Sequence, residues 1–368
     1  MKFDVCGFEH LHLHTDFSLL DGYGTVEEYA KRAARINQQF LCITDHGMMG
    51  AIPRQIKACD KATDEGNTLS PIFGCELYIN RHQPEAGDLG DMQSHMKNLD
   101  EQQKADMRPS AHLLALAYTD VGYTNLVKLS SWGWCKGFYY KPRINHEILQ
   151  QHKEGLIFTS CCYSSEVGRA FDRDGADAAL KVIEEYVEMV GRENYYLEFM
   201  LLDFVKQKPY NKFIIDAHEK TGLPLIITND CHYCKQEDSQ YQRLTMMVQT
   251  NRTVQEIQEA LAQDSMADFF ELQDQNLWMK SEEELNAKWL SDYSDVIPYE
   301  LFCQAKRNTV EICRKAQGVK LDRSIKLPEL PDSDEKLREA VKVGFLWRDL
   351  PKNREYLNRV KEEYELIC

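Results

Sequence analysis

The chain has 368 residues, of which 43% are hydrophobic and 28% are charged, proportions typical of a globular protein. No apolar run approaches the ~18 residues that span a membrane, and the N-terminus lacks the ~7–15-residue apolar stretch of a secretory signal. These features exclude an integral membrane protein and predict a cytoplasmic one. The net charge of −15 argues against broad electrostatic binding of duplex DNA by this chain alone.

Apolar, β-branched or aromatic runs alternate with helical patterns along the first ~235 residues. This alternation predicts βα units and a largely parallel sheet. Seven such units are too many for an open sheet and favour a barrel, complete or not. The runs lie at residues 8–13, 40–45, 71–79, 112–119, 155–161, 195–200 and 224–229.

Two stretches depart from this alternation. Residues 81–111 are polar with scattered glycine and proline, which predicts a long surface loop inserted into the barrel. Beyond residue 280 the patterns are mostly helical and charged, and the chain stops without a cap or breaker. We therefore expect a main domain over 1–280 and a helical segment over 281–368, which belongs to a larger architecture.

The histidines of HLHLHTDFSLLDG alternate along the first run. In a strand, alternate side chains share a face, so His10, His12 and His14 are expected to point the same way. One histidine alone would more simply be a hydrogen-bonded structural residue. Three imidazoles on one strand face pack poorly and suit a metal site.

The second run leads directly into TDHG, which places polar side chains at a strand end. Loops after barrel strands carry the chemistry of such folds, so His46 is a candidate ligand. Asp45 is expected to orient a ligand histidine rather than to bind metal itself. On its own, this motif could equally be the start of a helix.

Four further candidates come from later runs. Glu76 interrupts the apolar run IFGCELYI, and a buried carboxylate is costly unless it is paired or metal-bound, although an edge-strand position would also accommodate it. His112 stands at the start of its run, which is an unexpected position for a ligand in a barrel whose active site lies at the C-terminal ends of the strands. Asp230 and His232 end the last run on one face.

One of two adjacent cysteines completes the set. The run LIFTSCC ends in Cys161 and Cys162, either of which could bind zinc, while two inert buried thiols are the alternative. Clustering at so many strand ends is difficult to explain by chance, and nine ligands suit two or three ions. The nine are one of these cysteines together with His12, His14, Asp21, His46, Glu76, His112, Asp230 and His232.

These motifs resemble, in order and spacing, the PHP (polymerase and histidinol phosphatase) domain of bacterial DNA polymerase III alpha subunits. HLHTDFSLLDG, TDHG, GCE, HLLALA, SCC and TNDCH carry the resemblance, which covers essentially the whole chain outside 81–111. It implies a distorted seven-stranded (β/α) barrel with three metal ions, followed by a helical segment similar to the start of a polymerase palm region.

The resemblance also assigns ligands to the ions. One ion would be held by His12, His14, Glu76 and Asp230, and a second by Asp21, His46 and His232. Glu76, as a bridge, would hold the third with His112 and Cys162. The family pattern S-G-C favours Cys162, but Cys161 stands where the glycine is usual, so either thiol remains open.

For the activity, the resemblance implies 3′→5′ exonuclease proofreading on DNA, with hydrolysis by metal-activated hydroxide and no side-chain nucleophile. Zinc, manganese, or both would be the cofactors, with magnesium and iron as alternatives. Single-stranded 3′ ends or primer termini would be the substrate, and Arg54, Lys141 and Arg143 are candidate phosphate contacts, although each could simply be a solvated charge.

No P-D-x-D-x-D-F type polymerase motif occurs in the sequence, so the chain is not expected to synthesise DNA. A polymerase palm and fingers region is the expected partner, in cis or as a separate chain, because the protein is either a truncated form or one piece of a split polymerase. Two other functions stay open: a non-catalytic docking module of a polymerase, and a stand-alone phosphatase of the histidinol-phosphatase kind.

Overall fold

The computed structural model describes residues 7–84, 96–263, 274–325, 330–351 and 353–367. It contains two compact units, of which the first runs from Met1 to Lys320 and the second from Leu321 to Cys368. Residues 281–320, which the sequence patterns group with the C-terminal segment, are therefore part of the first unit. The boundary of the family domain at residue 280 stays a prediction.

The first unit is built on a curled β-sheet. Its strands are short and almost entirely buried, as expected for strands covered on both faces. They are β1 (Phe40–Ile43), β2 (Ser70–Ile79), β3 (Ala111–Ala117), β4 (Phe138–Tyr139), β5 (Lys141–Ile144), β6 (Leu156–Thr159), β7 (Tyr195–Met200) and β8 (Leu225–Thr228).

The strand order makes the sheet a distorted barrel, as the sequence predicts. Strands follow one another as β1-β2-β3-β6-β7-β8, while the small β4–β5 hairpin adds to β2. Residues 12–14 then join the two ends. Thr44 N–H, just after β1, donates to Leu13 O (2.8 Å). Just after β8, Cys231 N–H donates to His12 O (3.0 Å), and His14 N–H donates to Cys231 O (2.7 Å). The first predicted run thus closes the barrel through one bridge rather than as a regular strand.

The sheet is mixed, which corrects the prediction of a largely parallel one. β3 runs antiparallel to both of its neighbours, β2 and β6, whereas the pairs β1–β2, β6–β7 and β7–β8 are parallel. Because β3 is reversed, its first residues lie at the same end of the barrel as the last residues of the other main strands. His112, at the start of β3, is thereby brought to the end where His46 and Asp230 lie.

Helices surround this sheet in the first unit. They begin at side-chain caps in several cases, as at Thr25 and Ser281, where a capping box is complete. Their bounds are α1 (Val26–Arg35), α2 (Ile52–Asp64), α3 (Glu101–Met107), α4 (Asp120–Cys135), α5 (His146–Gln151), α6 (Glu166–Asp174), α7 (Ala176–Val190), α8 (Gln207–Thr221), α9 (Ser239–Thr250), α10 (Val254–Ala262), α11 (Glu282–Lys288) and α12 (Tyr299–Ala316).

The predicted loop over 81–111 contains α3, so it is not loop throughout. Asp100 accepts a hydrogen bond from the Gln103 amide, and the Gln103 side chain accepts one from Asp100 N–H, which completes a capping box. This D-x-x-Q spacing was the available signal in the sequence. Residues 85–95, part of the same predicted loop, lie outside the described residues.

The barrel interior is hydrophobic at the end away from the histidines. Leu11, Cys42, Ile72, Leu116 and Ile226 are at most 1% exposed and pack into one cluster. Helix α12 closes this end, because its side chains belong to the same cluster; they are Ile312, Cys313 and Ala316. This apolar cluster excludes water from its end of the barrel, and the polar side chains are grouped at the other end.

The second unit consists of two helices in its described part, α13 (Ser333–Trp347) and α14 (Arg354–Ile367), and neither has a buried residue. Among the described residues, none of the helices combines the length and the apolar character needed to cross a bilayer.

Candidate metal centre

The first two histidines of the predicted set lie at the seam where the barrel closes. His12 and His14 are fully buried, and the Nε2 atom of each lies 3.3 Å from Asp230 Oδ1. Glu76 is also close to both, at 3.3 Å from His12 Nε2 and 3.4 Å from His14 Nε2. The two imidazoles therefore present the same ring nitrogen to the same two carboxylates.

His10 does not join them. Its Nε2 lies 2.8 Å from Lys280 O and its Nδ1 lies 3.3 Å from Cys231 Sγ, so both ring nitrogens contact groups away from Asp230. The alternation predicted from sequence fails because this segment is irregular, and Leu11 packs into the barrel interior beside the strands. His10 is thus a buried structural residue.

Hydrogen bonds at Nδ1 fix the orientation of His12. Glu198, on β7, is fully buried, and its Oε1 lies 2.9 Å from His12 Nδ1. The same carboxylate accepts hydrogen bonds from Thr228 Oγ1 (2.5 Å) and Thr159 Oγ1. A carboxylate at Nδ1 keeps the proton on that nitrogen and leaves the Nε2 lone pair free for a cation.

A hydroxyl relay does the same for His14. Ser18 Oγ lies 3.0 Å from His14 Nδ1 and donates to Asp45 Oδ1 at 2.8 Å, so its oxygen can accept a hydrogen bond from the imidazole Nδ1–H. Asp45 also accepts from the Thr15 amide (2.7 Å). Asp45 is therefore linked to His14 through Ser18, and its orienting role stays a prediction.

Glu76 is the central carboxylate of the cluster. It is 1% exposed, and its two oxygens face different imidazoles: Oε2 lies 2.5 Å from His46 Nδ1, and Oε1 lies 2.8 Å from His112 Nδ1. With His12 and His14 on its remaining side, it stands between all three predicted ligand groups. This position fits the bridging role that the sequence resemblance implies.

The second predicted group is Asp21, His46 and His232. Asp21 lies 3.0 Å from His46 Nε2 and 3.5 Å from His232 Nε2. His232 Nδ1 lies 2.8 Å from Asp230 O, which again points Nε2 towards the cluster. Gly47, beside His46, adopts φ +64°, and a Cβ there would lie 2.6 Å from Pro142 Cγ, so the turn of the DHG motif requires glycine.

The third group contains the cysteines. Cys162 Sγ lies 3.4 Å from His112 Nδ1 and 3.7 Å from Glu76 Oε1, and it lines a cavity at the cluster. Cys161 Sγ lies 3.3 Å from Glu76 Oε1, but this residue has φ +59°, a left-handed conformation that favours glycine. Glycine would adopt this conformation without strain, which fits the S-G-C pattern that the sequence resemblance implies. The contact with His112 and the position on the cavity wall favour Cys162 as the ligand.

Buried atoms without hydrogen bonds show that the cluster fits metal ions. Five side-chain atoms here are buried and have no hydrogen-bond partner within the described residues, although buried polar atoms are normally satisfied. All five belong to predicted ligands and face one another, at 2.5–3.4 Å. They are His12 Nε2, His14 Nε2, His46 Nδ1, Glu76 Oε2 and Asp230 Oδ1.

The electrostatics of the cluster also favour cations. Burial alone would lower the pKa of His46, but the carboxylates of Glu76 and Asp21 raise it to about 9. Burial opposes ionisation of Asp21 and Asp230, yet the surrounding imidazoles lower the pKa of both. Carboxylates held ionised in a buried site need positive charge, which bound divalent ions supply.

The predicted phosphate contacts separate into three cases. Lys141 lines a cavity beside the cluster. Arg54 does not line it and pairs with Glu27 at 2.5 Å. Arg143 is fully buried and donates to Met107 O (2.5 Å), which corrects the prediction, because a buried guanidinium cannot meet a substrate phosphate.

Sequence reasoning missed Glu198 and Ser18. Glu198 interrupts the apolar run YYLEFM in the way that Glu76 interrupts IFGCELYI, so the argument used for Glu76 could have found it. Ser18 gave no such signal, because serine is common in turns.

Comparisons with known proteins identify the family of this chain. The PHP domain family profile matches residues 10–201. Among curated proteins, the DNA polymerase III alpha subunit of Treponema pallidum is 34% identical over 67% of this chain and 19% of its own length. Those of Helicobacter pylori strain 26695 and Thermus aquaticus are each 30% identical, over 98% and 97% of this chain and 29% and 27% of their own lengths.

The chain thus spans less than a third of these curated relatives. Among solved structures, an amidohydrolase from Chromobacterium violaceum covers 61% of this chain and 88% of its own, at 13% identity and a TM-score of 0.37, which is too low to support a conclusion. On the profile match to more than half of its residues, the chain belongs to the PHP domain family.

Proposed function

We propose that this chain is a metal-dependent phosphoesterase that cleaves phosphodiesters with its cluster of nine ligands. The observation that carries the proposal is that five buried nitrogen and oxygen atoms, each able to bind a metal ion, converge without hydrogen-bond partners within the described residues. Two or three divalent ions, zinc or manganese, fit this donor set of imidazoles, carboxylates and a thiolate. The proposed ligands are His12, His14, Asp21, His46, Glu76, His112, Cys162, Asp230 and His232.

Bound divalent ions would supply Lewis acidity to a phosphoryl oxygen and to an attacking water. The chain's own residues position the ligand side chains. Glu198 and Ser18 hold the imidazoles of His12 and His14 in one orientation. Glu76, almost fully buried, keeps its two oxygens directed at different ligand groups. A rigid arrangement of this kind needs little reorganisation during reaction.

For the substrate we propose DNA, with release of nucleotides from 3′ ends. This finer assignment is supported by the similarity to DNA polymerase III alpha subunits over nearly the whole chain. The same similarity supports a polymerase palm and fingers region as partner, in cis or as a separate chain. We also propose residues 1–280 as the catalytic PHP part, although the compact unit extends to Lys320.

Metal analysis and nuclease assays test the proposal. The purified chain is loaded with Zn²⁺ or Mn²⁺, its metal content is measured, and release of nucleotides from single-stranded DNA is followed. Asp230→Asn should abolish hydrolysis, while Asp216→Asn, a surface change on α8, should leave it intact. Metal-loaded protein that hydrolyses neither DNA nor bis(p-nitrophenyl) phosphate would refute the proposal and favour the docking module; cleavage of phosphate monoesters alone would favour a histidinol-phosphatase-like enzyme.

A further inference from the structure

Two cavities of different chemical character meet at the metal centre. Both are lined by Asp21, His46 and His112, and both include Ser164. Beyond these shared residues their walls differ entirely. A substrate atom placed over the centre would therefore have two different environments on its two sides.

The first cavity is small and has an apolar wall. Its volume of about 210 Å³ is below the roughly 300–1,000 Å³ of sites for drug-sized ligands. Phe204 and Tyr163 meet edge to face there, with ring centroids 5.2 Å apart, and Leu202, Met246 and Leu277 complete the apolar wall. Such a pocket accommodates one planar aromatic group rather than a chain of them.

The second cavity is basic and larger, at about 470 Å³. Arg108, Lys141 and Arg169 line it, and the acidic residue on its wall is Asp21, one of the proposed ligands. Arg169 is held in place by Ser164 O at 3.0 Å and Ser110 O at 3.4 Å. Within the described parts of the chain, none of these three cations is engaged in an ion pair, although the protein as a whole carries a charge of −15.

We propose that the two cavities bind the end of a single-stranded polynucleotide in one defined orientation. The terminal base lies on Phe204 in the apolar cavity, the scissile phosphate lies over the metal centre, and the following phosphates lie along Arg108, Lys141 and Arg169. The inference rests on the proposed phosphoesterase function and specifies its substrate. Since the apolar cavity accepts one base, the product is a mononucleotide, which makes the enzyme an exonuclease.

The reaction is a balanced hydrolysis. Water supplies an oxygen atom to phosphorus, the bond from phosphorus to the neighbouring sugar oxygen breaks, and a proton from the water ends on that oxygen. No oxidant, reductant or second substrate is required.

Binding measurements test the apolar cavity separately from catalysis. The probe is an oligothymidylate with an internal fluorophore and phosphorothioate terminal linkages, and its fluorescence anisotropy reports binding to the metal-loaded chain. Removing the terminal base at one end should weaken binding at least fivefold, by loss of stacking. Phe204→Ala should weaken binding of the intact probe to the same extent, and base removal should then have no further effect. Val205→Ala, a change at an exposed neighbour, should alter neither the binding of the intact probe nor the effect of base removal.

Salt dependence tests the basic cavity. Arg108→Gln, Lys141→Gln and Arg169→Gln should each reduce the slope of log K against log salt by about 0.7, the value for one lost phosphate contact on a single strand. Arg173→Gln removes a cation from the same helix as Arg169 but outside this cavity, and it should leave the slope unchanged.

The outcomes separate this inference from the proposed function. Hydrolysis of bis(p-nitrophenyl) phosphate tests the phosphoesterase by itself, and it should be equal in wild type and in the control variants Val205→Ala and Arg173→Gln. If this hydrolysis is present but base removal at either end and the three cation changes leave binding unaffected, the inference is overturned and the phosphoesterase stands. If base removal matters at the 5′ end, the inference holds and the proposed 3′ polarity is wrong.

Discussion

His112 Nδ1 lies 2.8 Å from Glu76 Oε1, although His112 is near the start of its strand and Glu76 is in the second half of its own. The reversed direction of β3 makes this contact possible. Tyr78 pairs with His112 and Glu76 pairs with Leu114, so His112 and Glu76 are diagonal neighbours on one face of an antiparallel pair. The third predicted ion site depends on this single antiparallel strand.

The first prediction concerns the two cysteines. Cys162→Ser should remove one metal equivalent, because Cys162 lines the cavity beside His112. Cys161→Gly should keep the full metal content, because glycine adopts φ +59° without strain, and this relief offsets part of the cost of deleting a buried side chain. Elemental analysis counts the ions, and the thiolate-to-cobalt absorption of Co²⁺-loaded protein identifies the sulfur ligand. Loss of that band in Cys161→Gly alone would reverse the assignment.

The second prediction concerns Glu198. Glu198→Gln should weaken metal binding about 10–100-fold, because the amide no longer holds the proton at His12 Nδ1. Competition with a chelator of known affinity measures the effect. Glu188→Gln, an exposed change on α7, is the matched control and should bind metal as the wild type does. Equal affinity of the two variants would contradict an orienting role for Glu198.

The third prediction concerns Arg143. Arg143→Met should lower the free energy of unfolding by about 1–3 kcal/mol, because it leaves the carbonyl of Met107 without its buried donor. Affinity for single-stranded DNA should not change, since the side chain is not exposed. Urea denaturation and anisotropy measure the two quantities. Lys141→Gln should show the opposite pattern, with normal stability and weaker binding.

The fourth prediction concerns pH. Burial raises the pKa of Glu166, but the hydrogen bond (2.7 Å) and charge of His146 and the charge of Arg81 more than offset this. Together with a hydrogen bond from Tyr186 (2.9 Å), they lower the pKa from 4.5 to about 2. A carboxyl with a lowered folded-state pKa stabilises the protein above pH 4.5, and that contribution is lost as pH falls towards 2.

Glu166→Gln should therefore be less stable than the wild type by on the order of 2–3 kcal/mol at pH 7, and this difference should shrink below pH 4.5. Urea denaturation at a series of pH values measures it. Glu184→Gln, an exposed change on α7, should show no such dependence. A difference that stays constant from pH 7 to pH 2.5 would contradict the ionic origin.

The sequence predicted the barrel fold and which side chains would lie together, but not the direction of every strand. Strand ends could be located from apolar runs, and the polar residues that follow them are His46 and Asp230, so the cluster was predictable. The direction of β3 was not predictable, because an apolar run such as HLLALA carries no signal for the direction in which the strand enters the sheet. The long polar stretch before β3 gives the chain room to reverse, but nothing in its composition requires it.

Basic residues were the least predictable part. Arg143 and Lys141 are two residues apart on β5, yet one is fully buried and the other lines a cavity at the centre. Arg108 and Arg169 came to the same cavity from separate helical regions, without any sequence signal. Charge alone therefore does not indicate which cations meet solvent at the centre.

Closure of the barrel through residues 12–14 gives the metal ions a mechanical role. An ion shared by His14 and Asp230 would tie the first strand segment to the last, two regions almost the whole barrel apart in sequence. It would act as a cross-link that closes a long loop of the chain. Chelation would then open the protein along this seam first, where a hydrogen-exchange experiment would find amides such as His14 and Cys231 deprotected before those of the β2–β3 pair.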